Sequence, residues 1–212
     1  MIPIFPLGIV IFPDQPVPLH IFEERYKLMI QRCLDRQHGF GIIYYDGNSL
    51  ARCGCTAVVK EVINTYDDGR MDILTIGQDR FVIKEIDESE PYLQATVEYF
   101  DDGIEEPTDR LNQLARQATL LIEEYHLLTR ADDRSPVEHD ARQLSFLISS
   151  NEGFTTTEKQ KFLEMTSTAV RLEKSLAALQ KVIERLKISA SIRKIVGGNG
   201  QIRPEMYRKI DG

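Results

Sequence analysis

The chain has 212 residues, 42% apolar and 28% charged, enough for one large domain or two modest ones around a proper hydrophobic core and unlike either a disordered or a membrane-embedded chain. No apolar run approaches the roughly 20 residues that cross a bilayer, and Met1-Ile2-Pro3-Ile4 has no basic region before its apolar stretch, so the expected address is the cytoplasm. The net charge of −7 is unevenly spread: residues 84–109 hold ten acidic side chains against Lys84 alone, whereas the stretch beyond Ile188 carries five basic against two acidic.

Taken in chain order, the first elements are short. Pro3, Pro6, Pro13, Pro16 and Pro18 fix φ and remove backbone donors, so residues 1–22 read as edge or bent strands that pass into a helix over 23–37. Gly41-Ile42-Ile43-Tyr44-Tyr45 is a short buried strand that ends at the turn signal Asp46-Gly47-Asn48. Asp67-Asp68-Gly69 joins strands over 57–66 and 70–77 as a hairpin, since glycine accepts a positive φ. Two further strands are expected over 81–86 and 92–100. Short strands with one interposed helix predict a small closed or half-closed barrel.

Composition shifts at Asp101-Asp102-Gly103-Ile104-Glu105-Glu106-Pro107, an acidic, turn-rich linker, and the remainder to about residue 195 is predicted helical. Leu111, Leu114, Ala115, Ala118, Leu121, Ile122 and Tyr125 form one apolar helix face. Ser135-Pro136-Val137-Glu138 and Thr155-Thr156-Thr157-Glu158 are capping boxes that open two more helices. Met165, Ala169, Leu172, Leu176, Leu179, Ile183 and Leu186 follow steps of four and three, the seam of either a bundle's inner face or a coiled coil. Gly197-Gly198-Asn199-Gly200 stops that helix. The expected division is a strand-rich part over 1–105, a helical part over 106–196 and a flexible tail over 197–212.

Several ordered blocks carry a resemblance. Phe5-Pro6-Leu7, Pro16-Val17-Pro18-Leu19-His20-Ile21-Phe22, Glu23-Glu24-Arg25-Tyr26, Gly54-Cys55-Thr56-Ala57, Asp68-Gly69-Arg70, Gly77-Gln78-Asp79-Arg80-Phe81, Leu144-Ser145-Phe146-Leu147 and residues 158–164 occur in the order found in LON domains. The chain therefore resembles the N-terminal substrate-recognition region of Lon proteases, a domain also found in cereblon and as a free-standing bacterial protein. The resemblance implies an α+β fold: a PUA-like β pseudobarrel with one helix, followed by a C-terminal helical bundle. Arg25 and Arg80 are then expected to satisfy carboxylates or carbonyls, and Gly69 to serve the hairpin.

The chemistry of catalysis is not legible. The sequence has no G-x-x-x-x-G-K-[ST] phosphate loop, no G-x-S-x-G elbow and no H-E-x-x-H helix, so neither the ATPase nor the Ser-Lys protease part of a Lon protease is expected, and no cofactor. His20, His38, His126 and His139 are too widely spaced for a helical metal site, and His20 is read as local packing or hydrogen bonding. Cys33 reads as helix core. Cys53 and Cys55 flank one glycine, a spacing that fits neither a zinc knuckle nor a thioredoxin motif, and read as buried inert thiols on one strand face, with a redox or metal pair as the alternative.

The functional expectation is a non-catalytic module that binds unfolded or extended polypeptide segments in a groove between barrel and bundle, with a protease or chaperone as a further partner. Candidate groove residues are Pro18, Phe22, Tyr44, Tyr45, Phe100 and Phe154, aromatic or apolar side chains near element ends. The last helix offers a surface for an oligomer. The acidic run reads as a solvated rim or as a docking face for basic segments, and it opposes the alternative of RNA binding by a PUA-like barrel. A small-molecule regulator or an enzyme assembled from dispersed residues is the other alternative.

Overall fold

The computed structural model describes residues 1–104, 108–129 and 139–198, with side chains to 192. Six strands and five helices follow in the order β1 (Ile2–Leu7), β2 (Pro16–Ile21), α1 (Glu24–Arg36), β3 (Phe40–Tyr45), β4 (Leu50–Thr65), β5 (Met71–Asp87), β6 (Gln94–Phe100), α2 (Asp109–Thr129), α3 (Ala141–Ser149), α4 (Thr156–Glu164) and α5 (Thr168–Gly198). The chain is thus mixed, strands first and helices after, with α1 as the one helix inside the strand-rich part.

The strands form one sheet in the order β2-β5-β4-β3-β1-β6, and β6 also pairs with β5, so β1, β3, β4, β5 and β6 complete a closed cycle of hydrogen-bonded neighbours. Every pairing is antiparallel except β1 with β3, the two strands linked through β2 and α1. The sequence reads 70–77 and 81–86 as separate strands, but β5 is continuous. Gly77-Gln78-Asp79 has turn composition, yet Gly77 donates its amide to the Gln15 carbonyl and accepts from the Asp14 amide. A long-range backbone pairing overrides the local signal. One end of β5 lies between β2 and β4, the other between β4 and β6.

Phe81 fills the inside of the cycle, packed with Ile4, Ile43, Ile83 and Ala95 and flanked by Leu50, so all five strands contribute. Its ring fits because Gly41 and Gly54 leave room: a Cβ at either would stand 2.7 Å from the Phe81 ring tip. The β4–β5 turn follows the sequence expectation, with Gly69 at φ 79° and its amide donating to the Tyr66 carbonyl. Lys27 of α1 donates to the Asp68 carbonyl at 2.7 Å and pins that turn against the helix.

Helix α1 buries Tyr26, Met29, Ile30 and Cys33, one stripe at helical spacing. It stops at Gln37, whose φ of 52° lets the Gln37 and His38 amides bond back to Leu34 and Cys33. The helices after β6 share the larger core, in which Leu172, Leu176, Leu179 and Ile183 of α5 are buried with Ala118 of α2 and Phe146 of α3. Ion pairs Arg110–Glu173 and Glu124–Lys187 have the same sequence offset, so α2 and α5 run parallel and in register.

Local capping is partly as expected. Thr155 and Glu158 form the reciprocal box at the start of α4. The Ser135–Glu138 box lies outside the described residues; α3 starts at Ala141 under a different box, Asp140 with Gln143. Met165 caps the end of α4 rather than joining the α5 seam. Asp102 is not part of a solvated linker, whereas the Asp101 side chain beside it stays 67% exposed. The Asp102 carboxylate is buried between Arg80 of β5, at 2.5 Å, and Arg171 of α5, and it accepts from Thr168 at 2.5 Å.

This cluster joins the strand-rich part to the helices. Arg80 donates to the Leu163 carbonyl at 3.0 Å, Arg171 to the Met165 carbonyl at 2.8 Å and to Ser145 Oγ at 2.8 Å. The guanidinium groups of Arg171, Arg80 and Arg142 lie 4.0, 5.1 and 5.1 Å from the centre of the Phe146 ring, within cation–π range. Burial would push the Asp102 carboxyl up. The hydrogen bonds from Arg171 and Thr168 and the charges of Arg171 and Arg80 outweigh it and hold the carboxyl below the usual carboxylate range.

Candidate functional site

The six candidate residues do not share one surface. Pro18 is exposed on β2 and Tyr44 is half-buried against the larger core. Phe100 lies under the Arg80 guanidinium at 4.6 Å. Phe154 is only 7% exposed and packs on Phe162 with ring centres 5.4 Å apart, so it is core and unavailable to a partner. Phe22 and Tyr45 are different: they are 59% and 40% exposed, and both line one groove.

That groove has a volume of about 630 Å³ and lies within the strand-rich part, α1 included, rather than between that part and the C-terminal helices. Its apolar lining comes from β1 (Phe5, Leu7), the end of β2 (Ile21, Phe22), the end of β3 (Tyr45), the start of β4 (Leu50) and Leu93 before β6. Physical reasons place each wall. The parallel β1–β3 register sets Leu7 beside Tyr44, which brings the end of β3 to the end of β1. Tyr45 is held on the rim by its hydroxyl, which donates to the Gly47 carbonyl at 2.7 Å. The following turn is fixed by Asp46, whose carboxylate accepts from the Asn48 and Ser49 amides and titrates below the usual range because of those bonds.

Tyr26 closes the floor. It is buried against Phe5 with ring centres 4.2 Å apart, and burial raises its phenol above the usual value. The charges of the groove satisfy each other, since Arg25 bonds Glu23 at 2.8 Å while its guanidinium covers the Tyr26 ring at 4.6 Å. His20 supplies the remaining polar group. Its Nδ1 lies 2.6 Å from Asp72 Oδ1 across the β2–β5 ladder, and its ring stacks on Phe22 at 5.9 Å and 22°. The Tyr66 hydroxyl donates to the second oxygen of Asp72 at 2.7 Å.

Sequence reasoning reached Phe22 and Tyr45 but missed Phe5, Leu7, Leu50, Leu93 and Asp72. Phe5-Pro6-Leu7 reads as a strand and as one block of the LON resemblance, and nothing in the spacing brings residues 5, 22, 45 and 93 together. Proline at 16 and 18 shapes the neighbourhood too, because a residue without N–H cannot donate to β5 and must sit where the donor would point away from it. The outer edge of β2 thereby loses donors for strand addition.

A second hollow, about 280 Å³, is lined by Asp101, Asp102, Asp140, Arg142 and Thr168. Its charges are engaged: Asp102 in the buried cluster, Arg142 on Asp101 at 2.8 Å and Asp140 in the cap of α3. Burial pushes the Cys33 thiol to about 11 and the Cys53 thiol to about 12, and raises Cys55 further, so these are unreactive core groups. Among the described residues no group of three or more His, Cys, Asp or Glu is placed to hold a metal ion, and no helix is long and apolar enough to cross a membrane.

Comparison with known proteins follows the same lines. The Lon protease of Rhizobium meliloti (strain 1021) is 24% identical over 208 residues, covering 92% of this chain but 26% of the protease. The chain thus spans about a quarter of the length of the curated relatives it matches. Two solved structures share the fold: a Lon N-terminal domain protein from Xanthomonas campestris (TM-score 0.66, 21% identity, 83% of this chain and 96% of that one) and the N-terminal domain of a Mycobacterium avium complex Lon protease (TM-score 0.68, 17% identity, 84% and 97%). A family model described as the ATP-dependent protease La (LON) substrate-binding domain matches residues 1–181, and the chain belongs to that family.

Proposed function

We propose that this chain is a non-catalytic, polypeptide-binding module that captures extended apolar segments of other proteins in the groove between β1, β2 and β3. The observation that carries this reading is the pair of exposed aromatic side chains, Phe22 and Tyr45, facing one apolar groove in a member of a substrate-binding family. Exposed aromatic surface of this kind marks interaction sites, because leaving it in water is unfavourable until a partner covers it. In this reading the closed strand cycle is a PUA-like pseudobarrel and the helices form a C-terminal bundle, with the parts divided as 1–105 and 106–196. The groove residues are Phe22 and Tyr45 with Leu7, Leu50 and Leu93. The module works in the cytoplasm and hands segments to a protease or chaperone, and α5 is the surface for self-association.

The test is fluorescence anisotropy with a labelled, permanently unfolded polypeptide. Phe22→Ala with Tyr45→Ala should weaken binding at least about tenfold, the equivalent of about 1.4 kcal/mol, which is modest for removing two aromatic contacts. Unchanged affinity in the double variant, with the fold intact by circular dichroism, would refute the assignment.

A further inference from the structure

We propose that His20 sets the selectivity of the groove: its Nε2 accepts a hydrogen bond from a tryptophan or tyrosine side chain of the bound segment, so the preferred ligand is an extended apolar stretch presenting an aromatic ring with a donor. This deepens the groove reading and rests on it.

The Asp72 carboxylate can only accept when ionised, and hydrogen bonds from His20 first and Tyr66 second hold it below the usual carboxylate range. Nδ1 at 2.6 Å from that carboxylate therefore carries the ring proton, and in the neutral imidazole Nε2 is left as a lone-pair acceptor. Nε2 makes no hydrogen bond to any described residue. The ring cannot turn freely, being stacked on Phe22 and met edge-on by Tyr66 at 6.0 Å.

The surroundings give this acceptor its weight. His20 lines a groove whose other walls are mainly aromatic and aliphatic, and the nearby Glu23–Arg25 pair is self-satisfied. A segment that covers the groove strips water from Nε2. A ligand with no donor leaves that lone pair unpaired, and a site built around a polar group discriminates against such ligands. Phe22 and Tyr45 supply the aromatic contact, so the donor belongs on an aromatic ring, either an indole N–H or a phenol O–H.

Loss of the Nε2 lone pair on protonation removes the preference. The charged groups around His20 are Asp72 on β5, Arg70 at 5.0 Å over Tyr66, and Glu23 and Arg25 entering α1; Tyr66 itself follows β4. Asp72 accommodates the imidazolium, but Nε2 then becomes a donor and meets the ligand's donor head-on.

The test uses three labelled peptides identical but for one central residue: tryptophan, 1-methyltryptophan or phenylalanine. At pH 8 the tryptophan peptide should bind about tenfold tighter than the methylated one, the difference should vanish at pH 5, and it should be lost in His20→Phe, which keeps the ring stack but not the lone pair. Nitrogen NMR of the free protein should find the proton on Nδ1, and Asp72→Asn should weaken that preference. A proton on Nε2, equal affinities at pH 8, or a preference that survives His20→Phe would overturn the proposal while leaving the groove in place. Binding of none of the three peptides would overturn both.

Discussion

Arg80 on β5 and Asp102, in the segment that leaves β6, face each other at 2.5 Å with side-chain exposures of 0% and 6%. A buried pair of this kind adds little net stability, but removing one partner strands the other. Asp102→Asn would leave Arg80 and Arg171 sharing a neutral amide, and should lower the unfolding free energy by about 3 kcal/mol. Urea denaturation followed by circular dichroism measures this, and a loss below about 1 kcal/mol would contradict the role assigned to the cluster.

The same carboxylate predicts an acid profile. Its titration is depressed in the folded chain, so between the unfolded-state value of about 3.9 and the lower folded value the unfolded chain binds more protons. Its contribution is present above that window and is lost as pH falls through it. Melting temperature plotted against pH should drop below about pH 4 in the wild type, and Asp102→Asn should show a shallower drop.

Gly41 and Gly54 should respond differently to alanine. Both new methyl groups meet the Phe81 ring, at a cost of about 1–3 kcal/mol from overpacking. At Gly41 the close neighbours are the tips of Phe81 and Ile4, so Phe81→Leu in the same chain should recover part of the loss. At Gly54 the carbonyl oxygen of Ile42 stands 2.5 Å away, and the same second change should not restore it. Double-mutant cycles by thermal denaturation separate the two.

Phe154→Ala and Phe22→Ala make a second contrasting pair. Phe154 is core, so its truncation should cost about 3 kcal/mol of stability. Phe22 is exposed, and its truncation should shift stability by less than about 0.5 kcal/mol while weakening polypeptide binding.

The cysteines should be silent. With the thiols held well above neutrality by burial, an aromatic disulfide reagent at pH 8 should label none of Cys33, Cys53 and Cys55 in the native chain, and all three after denaturation.

What the sequence revealed and what it hid divide along the range of the interactions. The turn at Gly69, the box at Thr155 and Glu158 and the apolar stripe of α1 are set by residues within a few positions of one another, and pattern reading finds them. The unbroken run of β5 depends on Asp14 and Gln15 some sixty residues away, and Gly77-Gln78-Asp79 gives no local sign of it. Asp102 stands in a stretch of ten acids whose composition suggests solvent exposure, although only the fold brings Arg80 and Arg171 around it. The groove is of the same kind. Phe22 and Tyr45 stand out as aromatics at element ends, but Phe5 and Leu93 join them only because β1 pairs with both β3 and β6.

Phe81, wedged against two glycines, packs the centre of the strand cycle with side chains of the framework itself. In the proposed function a bound segment rides on the outer lip, where Phe22 and Tyr45 stand exposed. Binding preference can therefore drift by substitution along that lip while the framework underneath stays the same.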